Sequence, residues 1–431
     1  MSATVQPPVD RNVYEPRVHE DPPVASTEAP RPAGKERLVS LDVFRGITVA
    51  GMLLVNNPGT WAAIYPPLEH AEWHGWTPTD LIFPFFLFIV GITTHLSLQA
   101  RRARGDSDAT LVKNIIRRGA IIYILGFLMA AFPFYQYGDA AGPGATLMHK
   151  IAYRFDHVRI MGVLARIGIV YICAALLTLR TNLKQQIAIL AALLFGYWFA
   201  MTLIPLDGTL NGVPGRYLGY QLLNTPSETL AAHLDRAILG LKHIWSGSLT
   251  YDPEGPFSTI PAIGTAILGV IAGRWISQPK PLIERIAGLF AVGCLAMVVG
   301  LMWNWSFPIN KNLWTSSYVL FTAGMGCATL ATIMWIVEDR GVRWWVKPFV
   351  IYGVNPIVAF VGSGVLARII YTLWKVNYNG TQVSMESAIY QSVFAPLMEP
   401  KNASLAMAFA TVVFWLAVLA VLYRRKIFLK V

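Results

Sequence analysis

Apolar runs close to twenty residues long recur along this chain of 431 residues, and no other feature constrains its fold as much. About 20 apolar residues in a helix cross the hydrocarbon core of a bilayer. Inside lipid every backbone N–H and C=O must be paired within the protein, so runs of this length fit only a helical bundle. Composition agrees. Only 14% of the residues are charged and 55% are hydrophobic, whereas a soluble domain is about one-quarter charged. The expected fold class is all-α, a polytopic transmembrane bundle.

The apolar pattern predicts ten spans, at about 42–57, 80–100, 114–133, 161–180, 185–205, 259–277, 284–305, 314–336, 347–373 and 404–423. Basic residues test that count, because cytoplasmic loops are enriched in Lys and Arg. The connection after the second span holds Arg101, Arg102, Arg104, Lys113, Arg117 and Arg118. Later even-numbered connections hold Arg180 and Lys184, then Arg274, Lys280 and Arg285, then Arg340, Arg343 and Lys347. The last span is followed by Arg424, Arg425, Lys426 and Lys430. The opposite face is sparser, with none between Pro58 and Thr79. Both termini are therefore expected to be cytoplasmic. This topology accounts for the net charge of +11, and no basic aromatic module points to nucleic acid.

Residues 1–36 are rich in Pro, Ala and charge and lack an apolar signal-peptide core. They are expected to be a disordered cytoplasmic tail. Residues 37–431 form one transmembrane domain, with outer loops at about 206–258, carrying a helix near Ser227–Trp245, and at 375–403. Cys173, Cys294 and Cys327 lie inside apolar runs and fit small core residues, not a disulfide or zinc framework. The halves show no inverted repeat, which counts against a secondary transporter.

Polar residues far apart in sequence converge on the outer face. Asn56 and Asn57 end the first span, His70 and His74 follow, and Asp80 opens the second span. "VRIMGVLARIGIVY" brings Arg159 and Arg166, "YDPEGPFSTIPAIG" brings Asp252 and Glu254, and "NLWTSSYVLFTAGMG" brings Trp314 and Ser316. An arginine inside a span costs about 2.5–3.5 kcal/mol on insertion scales unless paired or hydrated. Arg166 therefore suggests a salt bridge with Asp80, Asp252 or Glu254. His70, beside Glu69 and among Trp61, Tyr65 and Trp73, suits proton transfer near neutral pH. His74, beside Gly75, fits a surface position better. The other histidines lack a supporting context, and none has metalloprotease spacing, so no metal is expected. At the inner end Asp42 and Arg45 share a helix face, either as an ion pair or as an anionic-ligand site. Asn355 precedes Pro356 at lipid depth, where it can re-satisfy a freed carbonyl.

Six stretches in order resemble the heparan-α-glucosaminide N-acetyltransferase family, within the transmembrane acyltransferases. They are "RLVSLDVFRGITVAGMLLVNN", "HAEWHGWTPTDLIFPFFLFIVG", "RIMGVLARIGIVY", "YDPEGPFSTIPAIGTAILGVIAG", "LWTSSYVLFTAGMG" and "YGVNPIVAF". The likeness looks closer to bacterial members. Wider membrane acyltransferases carry a His eleven positions after the first-span Arg; here Asn56 follows Arg45 at that distance, which argues against their O-acylation mechanism.

The resemblance implies acetyl transfer from cytoplasmic acetyl-CoA to an amino sugar on the outer side, with His70 catalytic and Asn56 its partner. Under it, Asp80, Arg166, Asp252, Glu254, Trp314 and Ser316 are expected to face the sugar. Asp42, Arg45 and Asn355 are expected to serve the cofactor. It also implies a homodimer in a membrane, here expected to be a bacterial inner membrane. A sugar or amine transporter and an O-acyltransferase of a cell-envelope glycan are the alternatives.

Overall fold

A computed structural model describes residues 38–429; the expected tail at 1–36 lies outside the described residues. The helices are α1 (Val39–Asn56), α2 (Ile82–Ala103), α3 (Asp108–Ala131), α4 (Leu147–Asp156), α5 (Val163–Arg180) and α6 (Leu183–Leu203), followed by α7 (Leu230–Leu239), α8 (Pro256–Ile276), α9 (Leu282–Trp303), α10 (Ser316–Met334), α11 (Val346–Val354), α12 (Pro356–Arg368), α13 (Met385–Ile389) and α14 (Pro400–Arg424). Among the described residues ten helical segments are long and apolar enough to cross a membrane. They fall on the ten expected spans. The ninth is not one helix. It breaks at Asn355, where φ −128° and ψ 50° separate α11 from α12, because Pro356 disfavours a helical residue before it.

The helices divide into centre and rim. In α8 67% of the most apolar stretch is buried, against 22% in α9 and in α14. Rim residues such as Val292, Leu295, Val413 and Phe414 therefore present exposed apolar side chains, as a lipid-facing surface does. Without a hydrophobic force between helices in lipid, close packing through small residues holds a bundle together. A Cβ on Gly91 of α2 would come 2.0 Å from the Ala266 carbonyl of α8, and one on Gly269 of α8 would come 2.1 Å from the Phe88 carbonyl of α2. Only glycine permits that crossing. The large buried side chains Phe44, Phe88, Ile89, Ile92 and Met334 fill the adjoining core.

Two antiparallel hairpins sit in the long loops, β1 (Pro205–Leu210) with β2 (Val213–Leu218) and β3 (Lys375–Tyr378) with β4 (Thr381–Ser384). Each turns on an Asn-Gly pair, Asn211–Gly212 and Asn379–Gly380, with positive φ at both residues. That is the geometry a two-residue hairpin turn requires. The helix expected near Ser227–Trp245 is the shorter α7.

Candidate active site

The loop after α1 is a folded platform. Asn57 Nδ2 donates to Leu53 O at 2.8 Å, Gly59 N to Ser404 O and Tyr65 OH to Asn402 Oδ1 at 2.6 Å. These bonds tie the loop to α1 and α14. Its return is tied by Asp80, which is 1% exposed. Asp80 Oδ2 accepts from the backbone N–H groups of Ala71 and Thr77, each at 3.0 Å, and from Thr77 Oγ1. Oδ1 lies 2.7 Å from His70 Nδ1.

That contact sets the tautomer. An ionised carboxylate only accepts hydrogen bonds, so Nδ1 carries the proton and Nε2 of the neutral ring keeps a lone pair. His70 itself is half-exposed, and this lone pair is where the neighbouring Lys311 ammonium donates, at 3.0 Å. Asp80, expected to face the sugar, is instead wholly engaged by the platform and by His70.

A third group stands beside the pair. Lys311, in the loop before α10, places Nζ 3.0 Å from Nε2 and 3.1 Å from Nδ1 of His70, and 3.7 Å from Asp80 Oδ1. Its loop is held by Asn310, wholly buried, whose Oδ1 accepts from Leu313 N at 2.9 Å. Burial pulls the Lys311 ammonium below the ordinary lysine range, against the opposing pull of Asp80 and Glu254. Sequence reasoning passed over Lys311. Its one signal was a lone lysine, between two asparagines, on the face expected to be poor in positive charge.

His74 is a strut, not an open surface residue. Nε2 meets Asn224 Oδ1 at 2.9 Å and Nδ1 meets Asn310 Nδ2 at 3.3 Å. Burial lowers its pKa, so the neutral ring bridges the two loops.

The acidic pair binds a different arginine from the one expected. Arg159 Nε donates to Asp252 Oδ2 at 2.8 Å, and its Nη2 reaches both Asp252 Oδ1 and Glu254 Oε2. Burial acts against the Arg159 charge, but Asp252 and Glu254 outweigh it and hold the guanidinium protonated above its usual range. Arg166, in the first turn of α5, is fully buried. It donates to Gly255 O and Ser258 Oγ and lies 5.0 Å over the Trp314 ring. Trp314, 1% exposed, donates from Nε1 to Thr265 Oγ1 at 3.1 Å and offers no open face for stacking. Ser316 Oγ donates to Leu194 O at 2.7 Å. Arg166, Trp314 and Ser316 thus form the wall behind the site.

A cavity of about 280 Å³ collects the rest. Asn56, His70, Lys311, Asn312, Arg159 and Glu254 line its polar end. Its apolar side follows α1 from Thr48 past Val49 and Met52 to Val55, with Phe86, Ile167 and Phe360 opposite. From Thr48 to Asn56 this is about 12 Å of helix at ~1.5 Å per residue. Arg45 lies one turn below Thr48, where Nη1 donates to Gly353 O at 3.1 Å and to Asp42 Oδ1 at 3.4 Å. Asn355 is committed to the chain's end, donating to Ile427 O and accepting from Leu429 N, each at 3.0 Å. Its neighbour Pro356 lines the cavity. Among the described residues no group of His, Cys, Asp or Glu is arranged to hold a metal ion.

Behind Asp252 lies Asp235 of α7, 1% exposed. Its Oδ2 accepts from Asp252 N at 2.9 Å, and Oδ1 is buried without a hydrogen-bond partner among the described residues. Burial above all pushes its carboxyl up to about 7. The folded state therefore holds this proton more tightly than the unfolded chain, whose aspartates titrate near ~3.9. Stability should fall as pH rises through that window, by up to about 1.4 kcal/mol per pH unit. Asp235→Asn removes the titration and keeps an acceptor for Asp252 N. The variant's melting temperature should gain on the wild type between about pH 5 and pH 7.5; parallel melting curves would place the proton elsewhere.

The comparisons with known proteins bear on this geometry. The sequence model of the family described as heparan-alpha-glucosaminide N-acetyltransferase, catalytic, matches residues 37–300. That range holds Asn56, His70, Asp80, Arg159 and Glu254 and stops short of Lys311. The chain is 29% identical over 438 residues to the human protein named heparan-alpha-glucosaminide N-acetyltransferase, covering 92% of this chain and 60% of that one. It is 28% identical over 444 residues to the Mus musculus protein of the same name, covering 93% and 61%. The chain thus spans about 60% of the length of the curated relatives it matches.

Proposed function

Since the chain belongs to the heparan-α-glucosaminide N-acetyltransferase catalytic family, we propose that it is a membrane N-acetyltransferase. It moves an acetyl group from acetyl-CoA, admitted at the Arg45 end, to the amine of a glucosamine-type sugar at the His70 end. The observation that carries this reading is the Asp80–His70 pair, at the wall of a cavity that Asn56, Lys311 and Glu254 also line.

In this reading the apolar groove along α1 takes the thin pantetheine arm, while the CoA phosphates stay outside lipid beside Arg45. The positive-inside pattern supports an inner, cytoplasmic position for that end. Glu254 accepts from the N–H of the sugar's neutral amine or from its hydroxyls. Burial acts to raise the Glu254 carboxyl, but Arg159, Arg166 and Lys311 outweigh it and hold it ionised. Asp252, gripped by Arg159, positions Glu254 by accepting from its backbone N–H at 2.9 Å.

The chemistry balances without a redox partner. The sugar nitrogen attacks the thioester carbonyl and forms the C–N bond, and His70 Nε2 takes the proton the nitrogen sheds. Asn56 donates to the oxyanion, a contribution of about 3–4 kcal/mol in comparable sites. The C–S bond then breaks, and the departing thiolate receives a proton from Lys311 or from the imidazolium. Direct transfer is favoured over an acetyl-histidine intermediate because the amine is already a good nucleophile. Held side by side, thioester and amine gain part of the ~7–11 kcal/mol that proximity and orientation supply.

The test uses detergent-purified protein with acetyl-CoA and glucosamine, following thiol release and N-acetylglucosamine by mass spectrometry. Stoichiometric appearance of both is the expected result. Glucosamine uptake into vesicles without any dependence on CoA would replace this reading with a transporter. Thiol release coupled to an O-acetylated product would move it to the O-acyltransferases.

A further inference from the structure

A second cavity, of about 220 Å³, lies where α3 ends and the 356–373 span ends. Phe132, Tyr135, Gln136, Tyr137, Arg154, Arg368 and Thr372 are among its lining residues, and no carboxylate is. Arg154, from α4, donates to the carbonyls of Ala130, Ala131 and Phe132, which crowns the C-terminal end of α3 with positive charge. Arg368 is different. Its Nη1 is buried and has no hydrogen-bond partner among the described residues, and it feels the charge of Arg154 across the cavity. Ionisable side chains at such depths normally pair or mark a ligand.

The surroundings state which ligand. Arg368 is the last residue of α12, five residues before the membrane-spanning segment ends at Leu373, close enough for a side chain as long as arginine's to snorkel to a headgroup. Beside it α4 exposes Leu147, Met148 and Phe155, at 64%, 72% and 43%, while His149, Lys150 and Arg154 lie between them in sequence. A short helix with exposed apolar residues and basic neighbours matches an interfacial helix lying on a bilayer. The loop between α3 and α4 is fastened to it by Gln136 N donating to Lys150 O at 2.9 Å.

We propose that Arg154 and Arg368 form a binding site for the phosphate of an anionic membrane lipid, seated at the interface with α4 against the headgroup layer. Arg368 supplies the free guanidinium fork that a phosphate oxygen pair fits. Tyr135, Tyr137 and Thr372 supply hydroxyl groups on the cavity wall. The site is separate from the reaction cavity and shares no lining residue with it.

Native mass spectrometry of the full chain, delipidated in detergent and titrated with phosphatidylglycerol, tests the site. Wild type should retain at least about fivefold more of the first phosphatidylglycerol adduct than Arg368→Gln, and Arg368→Lys should fall between them. Phosphatidylcholine, whose phosphate is screened by its own cation, should show little difference between the variants. Thermal melts keep the result interpretable. Removing an unpaired buried charge should leave the lipid-free variant as stable as wild type or more so, and added phosphatidylglycerol should stabilise only the wild type. Equal adduct retention and equal stabilisation in Arg368→Gln would overturn the proposal. So would a sulfated disaccharide that stabilises wild type through Arg368 while phosphatidylglycerol does not, since the oxyanion would then come from a glycan.

Discussion

His70→Ala should lower kcat for acetyl transfer to glucosamine by about 10³-fold, within the 10²–10⁴ range of a lost general base, and leave the fold intact. The His70 side chain is half-exposed and lies at the cavity rim, so its truncation opens no core void. Asp80→Asn should cost nearly as much by a different route. The amide can still accept from Ala71 N and Thr77 N through its oxygen, which preserves the loop. Its nitrogen then faces Nδ1 as a donor, which moves the ring proton to Nε2 and removes the lone pair the reaction needs. The two losses should not add, since both disable one proton acceptor. Steady-state kinetics on both variants and their double mutant, each checked by melting temperature, settle the matter. A His70→Ala enzyme within fivefold of wild type would remove His70 from the chemistry. Acetylated His70 after incubation with acetyl-CoA alone would turn direct transfer into a two-step mechanism.

The bundle was legible because the information that specifies it is local. Length and apolarity mark each span, and the ten helices follow the ten predicted runs. The two hairpins were not expected, although Asn211–Gly212 and Asn379–Gly380 carry the strongest short hairpin signal there is, because they lie in loops on which the apolar pattern is silent. The site was half visible. His70 and the acidic stretch stand out by residue type, but their partners depend on long-range geometry. Arg159 and Arg166 lie seven residues apart on one stretch, and nothing local says which meets Asp252. The helix begins at Val163, so Arg159 stays in the loop with the acids while Arg166 is carried into the wall. Asp80 looks like a helix-start residue, which it is, and its second oxygen finds His70 only because the loop folds back. Lys311 reaches His70 across 241 positions.

That lysine poses a physical problem whose answer is the second large effect. An ammonium about 3 Å from an imidazole that must accept a proton would repel the resulting imidazolium by about 5 kcal/mol at an effective dielectric of ~20. A base so placed works only if the ammonium is neutralised or turns elsewhere as charge develops. Asp80 Oδ1, 3.7 Å from Nζ and 2.7 Å from Nδ1, offsets part of this repulsion. The oxyanion and then the thiolate offset the rest, because both appear in the same cavity and the four-carbon stem lets Nζ swing to meet them. Burial has already pulled Lys311 below the usual lysine range, which makes it a readier proton donor to the leaving sulfur. Lys311→Ala should therefore lower kcat by about 10²–10³-fold, the cost of a lost oxyanion or leaving-group donor, with little change in KM for acetyl-CoA. Because the acid must be protonated, wild-type kcat should fall as pH rises through the depressed Lys311 pKa. Arg does not titrate in that range, so Lys311→Arg should retain part of the activity and lose that alkaline limb. Profiles of kcat against pH for the three proteins decide it. If Lys311→Ala stays within threefold of wild type, or Lys311→Arg keeps the wild-type alkaline limb, then Lys311 only buttresses the loop and the imidazolium must protonate the sulfur alone.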